Sequence, residues 1–205
     1  MFLGGGNLNV TMNNILEFGE LSLTQKEEAV ELFMDGFGQF MTFSKDEELK
    51  KELFIQIFDP KLFLCYLEDN KVLGLMGLGT NKVRPISFKK EVCQELFGKC
   101  KGAIISKQMN ATFQKIVVKG DKELYLDTLV THPSYRSKGI GSILVNKACS
   151  LKEYNLIIVE VFSKNTKAIS FYEKNGFVIT KEHKFSMMRL LGSGYPITMT
   201  KHIKD

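Results

Sequence analysis

Tyr135-Arg136-Ser137-Lys138-Gly139-Ile140-Gly141 lies between an alternating apolar run that ends at Pro133 and a helical run from Ile140 to Leu151. A strand, a short turn with two glycines and a helix therefore follow one another. Glycine lets backbone N–H groups approach an anion without an intervening side chain, and the first turn of a helix carries unpaired N–H groups at the positive end of its dipole. Arg136 and Lys138 add positive charge at the same point. The segment suits a pyrophosphate. Glycines before a helix also serve merely to shape a tight connection, so the loop alone leaves both readings open.

Upstream, Leu124 to Thr131 alternates, with Tyr125, Asp127, Leu129 and Thr131 on one face and Leu124, Leu126, Thr128 and Val130 on the other. Downstream, Leu156 to Phe162 reads as a continuous apolar strand. Asn165-Thr166-Lys167-Ala168 then opens a helix that ends at Asn175-Gly176, with Asn165 suited to the N-cap and Gly176 to the left-handed residue beyond the end. Phe177 to Phe185 and Ile197 to Ile203 are expected as closing strands.

Towards the N-terminus, Ile15 to Leu21 reads as a first strand. Thr24-Gln25-Lys26-Glu27 and Ser44 to Glu47 read as capping boxes. The first opens a helix with Ala29, Val30, Leu32, Phe33 and Phe37 inward; the second opens one through Leu49, Leu53, Phe54 and Ile57 that stops at Asp59-Pro60. Leu62 to Leu67 and Val72 to Gly79, joined by Glu68-Asp69-Asn70-Lys71, predict a hairpin. The alternation predicts an α/β (α+β) fold, a mixed and mostly antiparallel central sheet of about seven strands with helices on both faces.

At 205 residues and 44% hydrophobic, the chain has the length and core of one domain, expected over residues 14–205 behind a flexible leader at 1–13. Residues 81–120 interrupt the strand series with two helices, Phe88 to Cys100 and about Ala103 to Gln114, and read as an insertion before the fourth strand. That segment holds nine Lys or Arg against two Glu, so it carries all of the chain's excess positive charge. It invites an acidic substrate or partner, or nucleic acid; a solvated lysine-rich face is the plainer account, because the lysines are diffuse and lack interleaved stacking aromatics. Cys65, Cys93, Cys100 and Cys149 have no metal-site spacing, which points to reduced thiols in a cytoplasm and to no metal. No apolar run reaches the roughly 18 residues of a membrane span.

Together these segments resemble the GNAT superfamily of acyl-CoA-dependent N-acetyltransferases. Its loop, Arg/Gln-x-x-Gly-x-Gly/Ala, is matched by Arg136-Ser137-Lys138-Gly139-Ile140-Gly141, and the Leu-x-x-x-Pro strand ending by Leu129 to Pro133. The family's second motif is matched by Asn165, Ala168, Phe171, Tyr172, Gly176 and Phe177. The resemblance implies that acetyl-CoA lies where the fourth and fifth strands splay apart. Leu129, Val130 and Thr131 would pair with its pantetheine, and Arg136, Ser137, Lys138, Gly139, Ile140, Gly141 and Ser142 would cradle its pyrophosphate. Asn165, Ala168, Phe171 and Tyr172 would line the arm from the other side, although an inward Phe171 is also plain core.

The same resemblance implies the chemistry. An amine is mostly protonated at neutral pH, so a base or water chain must deprotonate it before attack on the thioester. The Leu129 N–H would hold the oxyanion, and Tyr172 would protonate the departing thiolate. Asp127 is the first candidate for the base, or else orients the acceptor. Tyr125 stands where some members carry Glu or His, which puts carboxylate catalysis from that position in doubt. His132 reads as a solvated loop residue, and His183 lies near the expected acceptor cleft. The acceptor is an unidentified primary amine, the oligomer a monomer or homodimer, and the basic insertion is a candidate roof favouring an acidic acceptor. A second reading keeps the loop but not the chemistry, as an acyl-CoA-binding regulatory module; Tyr172 argues against it. A dinucleotide fold is disfavoured because Leu144 stands where a third glycine belongs.

Overall fold

Ser22 starts the first helix. Its hydroxyl accepts the Gln25 N–H at 3.3 Å and the Gln25 side chain accepts the Ser22 N–H at 3.0 Å, a reciprocal cap that sets α1 at Leu23–Phe37. The box expected at Thr24 to Glu27 lies inside the helix, because Ser22 offers the same chemistry two residues earlier. Similarly, Asp46 rather than Ser44 caps α2 (Glu47–Ile57), accepting the Leu49 N–H at 3.0 Å, while Ser44 takes the Asp46 N–H. Ser22→Ala removes an exposed cap and is expected to cost about 1 kcal/mol in urea unfolding. An unchanged midpoint would mean that the Gln25 half of the cap suffices.

The computed structural model describes residues 11–185 and 194–203, so most of the expected leader and residues 186–193 lie outside the described residues. Strands β1 (Ile15–Glu17), β2 (Phe63–Glu68), β3 (Lys71–Gly79), β4 (Glu123–Thr131), β5 (Leu156–Phe162), β6 (Val178–Glu182) and β7 (Pro196–His202) form one sheet in the order β1-β2-β3-β4-β5-β7-β6. Neighbours are antiparallel except β4 and β5. The first strand is shorter than its apolar run because Phe18–Glu20 coils into a 3-10 turn, which drops Phe18 into the core. β6 stops at Glu182, short of the expected Phe185.

The sheet separates two cores. On one face, α1 and α2 pack with the insertion helices α3 (Lys90–Phe97) and α4 (Lys99–Phe113). Phe33 is central there, with ring centroids 5.1 Å from Phe54 and 5.0 Å from Phe58, both edge-on, an arrangement that complements the aromatic quadrupoles. Phe88 extends the cluster into the insertion, 5.9 Å from Phe54 and 5.4 Å from Phe113. The first insertion helix, expected as Phe88 to Cys100, is shorter because the chain turns at Gly98 and starts α4 at once. On the other face, α5 (Ile140–Cys149) and α6 (Thr166–Lys174) cover Tyr66, Met76, Leu126 and Val159. No described helix is long and apolar enough to cross a membrane.

Candidate active site

β4 and β5 run side by side only from Glu123↔Leu156 to Leu126↔Val159. Beyond that point β4 stays with β3 and β5 stays with β7, so the two parallel strands part and leave a wedge. The His132 N–H bonds the Leu73 carbonyl at 2.9 Å on the β3 side. Alternation along an antiparallel strand therefore turns the peptide groups of Val130 towards β3 and those of Leu129 and Thr131 towards the wedge. No strand among the described residues meets them there.

The expected single face of Tyr125, Asp127, Leu129 and Thr131 does not form. Leu78 pairs with Leu126 and Gly77 with Thr128, which leaves Asp127 as an extra residue, a β-bulge. The bulge reverses parity. Leu129 joins Leu126 on the α5 side, whereas Tyr125 lies on the opposite face beneath Arg84, whose guanidinium carbon is 4.9 Å from its ring centroid. Asp127 is also met by Arg84, with Nε donating to Oδ2 at 2.7 Å, and both side chains are under a tenth exposed. Burial pushes the Asp127 carboxyl up against the opposing pull of Arg84. Burial also works against the Arg84 charge, but the Asp127 bond and charge outweigh it and hold the guanidinium protonated. Tyr125 is pushed up chiefly by burial, then by the charges of Asp127 and Glu160.

After β4, Pro133–Tyr135 forms a 3-10 turn, capped by His132, whose Nδ1 accepts the Ser134 N–H at 3.3 Å. Two left-handed residues follow, Ser137 at φ 62° and Gly139 at φ 90°. A serine in that region is strained, and such strain concentrates where backbone groups serve a ligand. Gly139 is needed for its backbone conformation. Gly141 lies close against Phe171, since a Cβ there would sit 3.1 Å from its ring and the ring would have to shift. The Ile143 N–H is bonded to the Gly139 carbonyl at 3.0 Å, but the N–H groups of Ser137, Lys138, Gly139, Ile140, Gly141 and Ser142 have no acceptor among the described residues. They form a row of donors at a helix start, an anion nest. Arg136 and Lys138 are exposed beside it, with Lys138 Nζ 4.6 Å from the Tyr135 ring centroid.

Asn165 caps α6 by accepting the Ala168 N–H at 3.1 Å. Phe171 therefore faces Gly141, and Tyr172 turns into the core, 5% exposed and edge-on to Phe171 at 5.0 Å and Phe177 at 5.3 Å. The Tyr172 hydroxyl has no hydrogen-bond partner among the described residues, and burial raises its pKa.

One acid that the sequence reading passed over sits at the vertex of the wedge. Glu160 follows Val159, the last β5 residue paired with β4, and shares the face of Ile158 and Tyr125. Its Oε1 lies 3.9 Å from His183 Nε2, which also hydrogen-bonds Thr198 Oγ1 at 3.0 Å. The available signal was a lone carboxylate inside Leu156-Ile157-Ile158-Val159-Glu160-Val161-Phe162, an otherwise apolar strand. His183 does lie in this cleft; His132 caps the loop turn instead.

A family model described as Acetyltransferase (GNAT) family matches residues 27–177. The Salmonella typhimurium peptidyl-lysine N-acetyltransferase YjaB is 36% identical over 73 residues, which make up 36% of this chain and 47% of that relative, so the match spans about half its length. Among solved structures, an N-acetyltransferase from Staphylococcus aureus Mu50 superposes with TM-score 0.61 at 14% identity, covering 91% of this chain and 99% of that one. An aminoglycoside 6'-N-acetyltransferase complexed with coenzyme A superposes with TM-score 0.58 at 16% identity, covering 93% and 97%. The parted parallel strands, the donor-lined loop and the family match agree: the chain belongs to the GNAT family of acetyltransferases, whose acyl donor is acetyl-CoA.

Proposed function

We propose that this chain is an N-acetyltransferase that passes the acetyl group of acetyl-CoA directly to a primary amine in a ternary complex, as a cytoplasmic monomer or homodimer built on one domain at residues 14–205. The observation that carries the reading is the wedge, an unpaired stretch of β4 backbone beside an anion nest. The pyrophosphate lies against the N–H groups of Ser137 to Ser142, with Arg136 and Lys138 beside it. The pantetheine adds to β4 along Leu129, Val130 and Thr131 like a further strand, with Asn165, Ala168 and Phe171 across from it. Acetyl-CoA supplies an activated acyl carbon.

Amine attack forms the C–N bond while the carbonyl oxygen gains charge, which the Leu129 N–H stabilises; one such donor is worth about 3 kcal/mol. As the C–S bond breaks, the Tyr172 hydroxyl donates its proton to the thiolate, and the second proton shed by the acylated nitrogen passes through water to restore the Tyr172 hydroxyl. Glu160 is the carboxylate that holds the acceptor's ammonium at the vertex and takes its proton, directly or through water. Asp127, first candidate for the base on sequence grounds, is engaged with Arg84.

The expected preference for an acidic acceptor gives way to a cationic one. Arg84 is the cation of residues 81–120 that reaches the site, and Asp127 balances it. Glu160 is then the carboxylate left to meet an ammonium, which fits an acceptor such as a lysine side chain; YjaB, the relative from Salmonella, is a peptidyl-lysine N-acetyltransferase. The test is free-thiol release from acetyl-CoA across amines of varied charge. Turnover favouring cationic primary amines supports the reading. CoA binding by calorimetry without turnover on any amine would leave a regulatory acyl-CoA-binding module, and no binding would remove both.

A further inference from the structure

The β4 bulge is held from outside the sheet. Asp127, the extra residue, lies between Leu126 and Thr128, which face opposite sides of the sheet. A bulge of this kind lacks a partner in the ladder and needs other bonds to fix it. Two are present. The Thr128 hydroxyl accepts the Gly77 N–H at 3.1 Å, which ties the far side of the bulge to β3. Arg84 holds Asp127 itself through the 2.7 Å contact to Oδ2 and uses Nη1 to donate to the Lys115 carbonyl. Arg84 thus joins the start of the insertion, the chain just beyond α4 and the bulge in one knot. The knot is anchored to the chain just beyond α2, because the Asp59 N–H bonds the Pro85 carbonyl at 2.9 Å and Ile86 bridges to Phe58.

We infer that Arg84 is a positioning residue: through Asp127 it fixes the bulge that aims the Leu129 N–H into the wedge. The inference rests on the acyltransferase reading above. It gives the insertion a task distinct from attracting an acidic acceptor, since its Arg84 sets the geometry of the oxyanion donor two residues along β4. Asp127 then serves as the handle of the bulge rather than as the base. A buried guanidinium–carboxylate pair is by itself weak support for stability, and loss of one partner leaves an unpaired buried charge. The contact's location at the bulge residue is what points to a role in catalysis.

The experiment uses the full chain with Arg84→Met, Asp127→Asn, and Arg84→Met combined with Asp127→Asn. The double variant carries no unpaired charge and keeps the test open if Arg84→Met fails to fold. Asp127→Asn retains an oxygen that accepts from Arg84 Nε but leaves the buried guanidinium without its counter-charge, so its kcat is expected to fall between those of the wild type and the double variant, with an unshifted pH profile. The double variant is expected to lose at least tenfold in kcat while its KM for acetyl-CoA and its CoA affinity change less than threefold. A second readout needs no turnover: amide hydrogen exchange at Gly77, whose N–H is bonded to the Thr128 hydroxyl across the bulge, is expected to rise at least tenfold in the double variant, with the α5 amides unchanged. Inactive wild type would sink the acyltransferase reading, and the exchange data would still judge the latch. Unchanged exchange at Gly77, or wild-type kcat in the double variant, overturns the inference. So does an Asp127→Asn variant that loses the acidic limb of its pH profile, because Asp127 would then be the base.

Discussion

Tyr172→Phe is expected to lower kcat about 100-fold, the scale of a lost general acid, while the affinity for CoA and the unfolding midpoint stay near wild type. The ring, not the hydroxyl, makes the contacts with Phe171 and Phe177, and the hydroxyl has no hydrogen bond to lose among the described residues. Phenylalanine therefore keeps the packing and removes the proton. The sign of the pH dependence follows from burial, which raises the Tyr172 pKa above its ordinary value of about 10. The hydroxyl keeps its proton through neutral pH, so no decline in wild-type kcat from this group is expected below about pH 10. Steady-state kinetics against pH check both statements. A variant with wild-type kcat would assign thiolate protonation to water.

Glu160→Gln is expected to lower kcat/KM for the amine about 100-fold, without altering CoA binding. The substitution keeps the size and one acceptor oxygen but removes the charge that faces His183 and the wedge vertex. The loss should be largest for amines that arrive protonated, and it should shrink as pH rises towards the pKa of the free amine, where less proton removal is needed. Kinetics with two amines of different basicity measure this. Equal losses for both at every pH would reduce Glu160 to a packing role.

Much of the fold was legible because local chemistry and long-range packing agree. The Gly139-x-Gly141 loop, the Asn165 cap, the Asp69-Asn70 hairpin turn, the inward face of the first helix and Leu53, Phe54 and Ile57 of the second stand where their residues suggest, whereas Lys50 rather than Leu49 is buried at the start of the second. The caps slipped by two residues because Ser22 and Asp46 offer the same capping chemistry as Thr24 and Ser44 two positions away, and nothing local decides between them. The faces of β4 were misread for a deeper reason. A bulge shifts every later side chain to the other face, and its cause lies far away in sequence, at Gly77 and Arg84. Glu160 went unnoticed for the complementary reason: its strand reads as buried, and only the departure of β4 opens its surroundings. Pairwise partners of that kind are a property of tertiary assembly.

The sheet amounts to two antiparallel halves, β1 to β4 and β5 to β7, stitched together by four residue pairs at Glu123–Leu126. A seam that short makes the junction the weak joint of the molecule, and whatever bridges the gap above it acts as a staple. Cosubstrate affinity and mechanical cohesion are thereby linked, since a ligand bound only by the folded state adds to its stability. The empty enzyme should flex at the joint, and the loaded one should hold its halves in fixed register while the acetyl group moves.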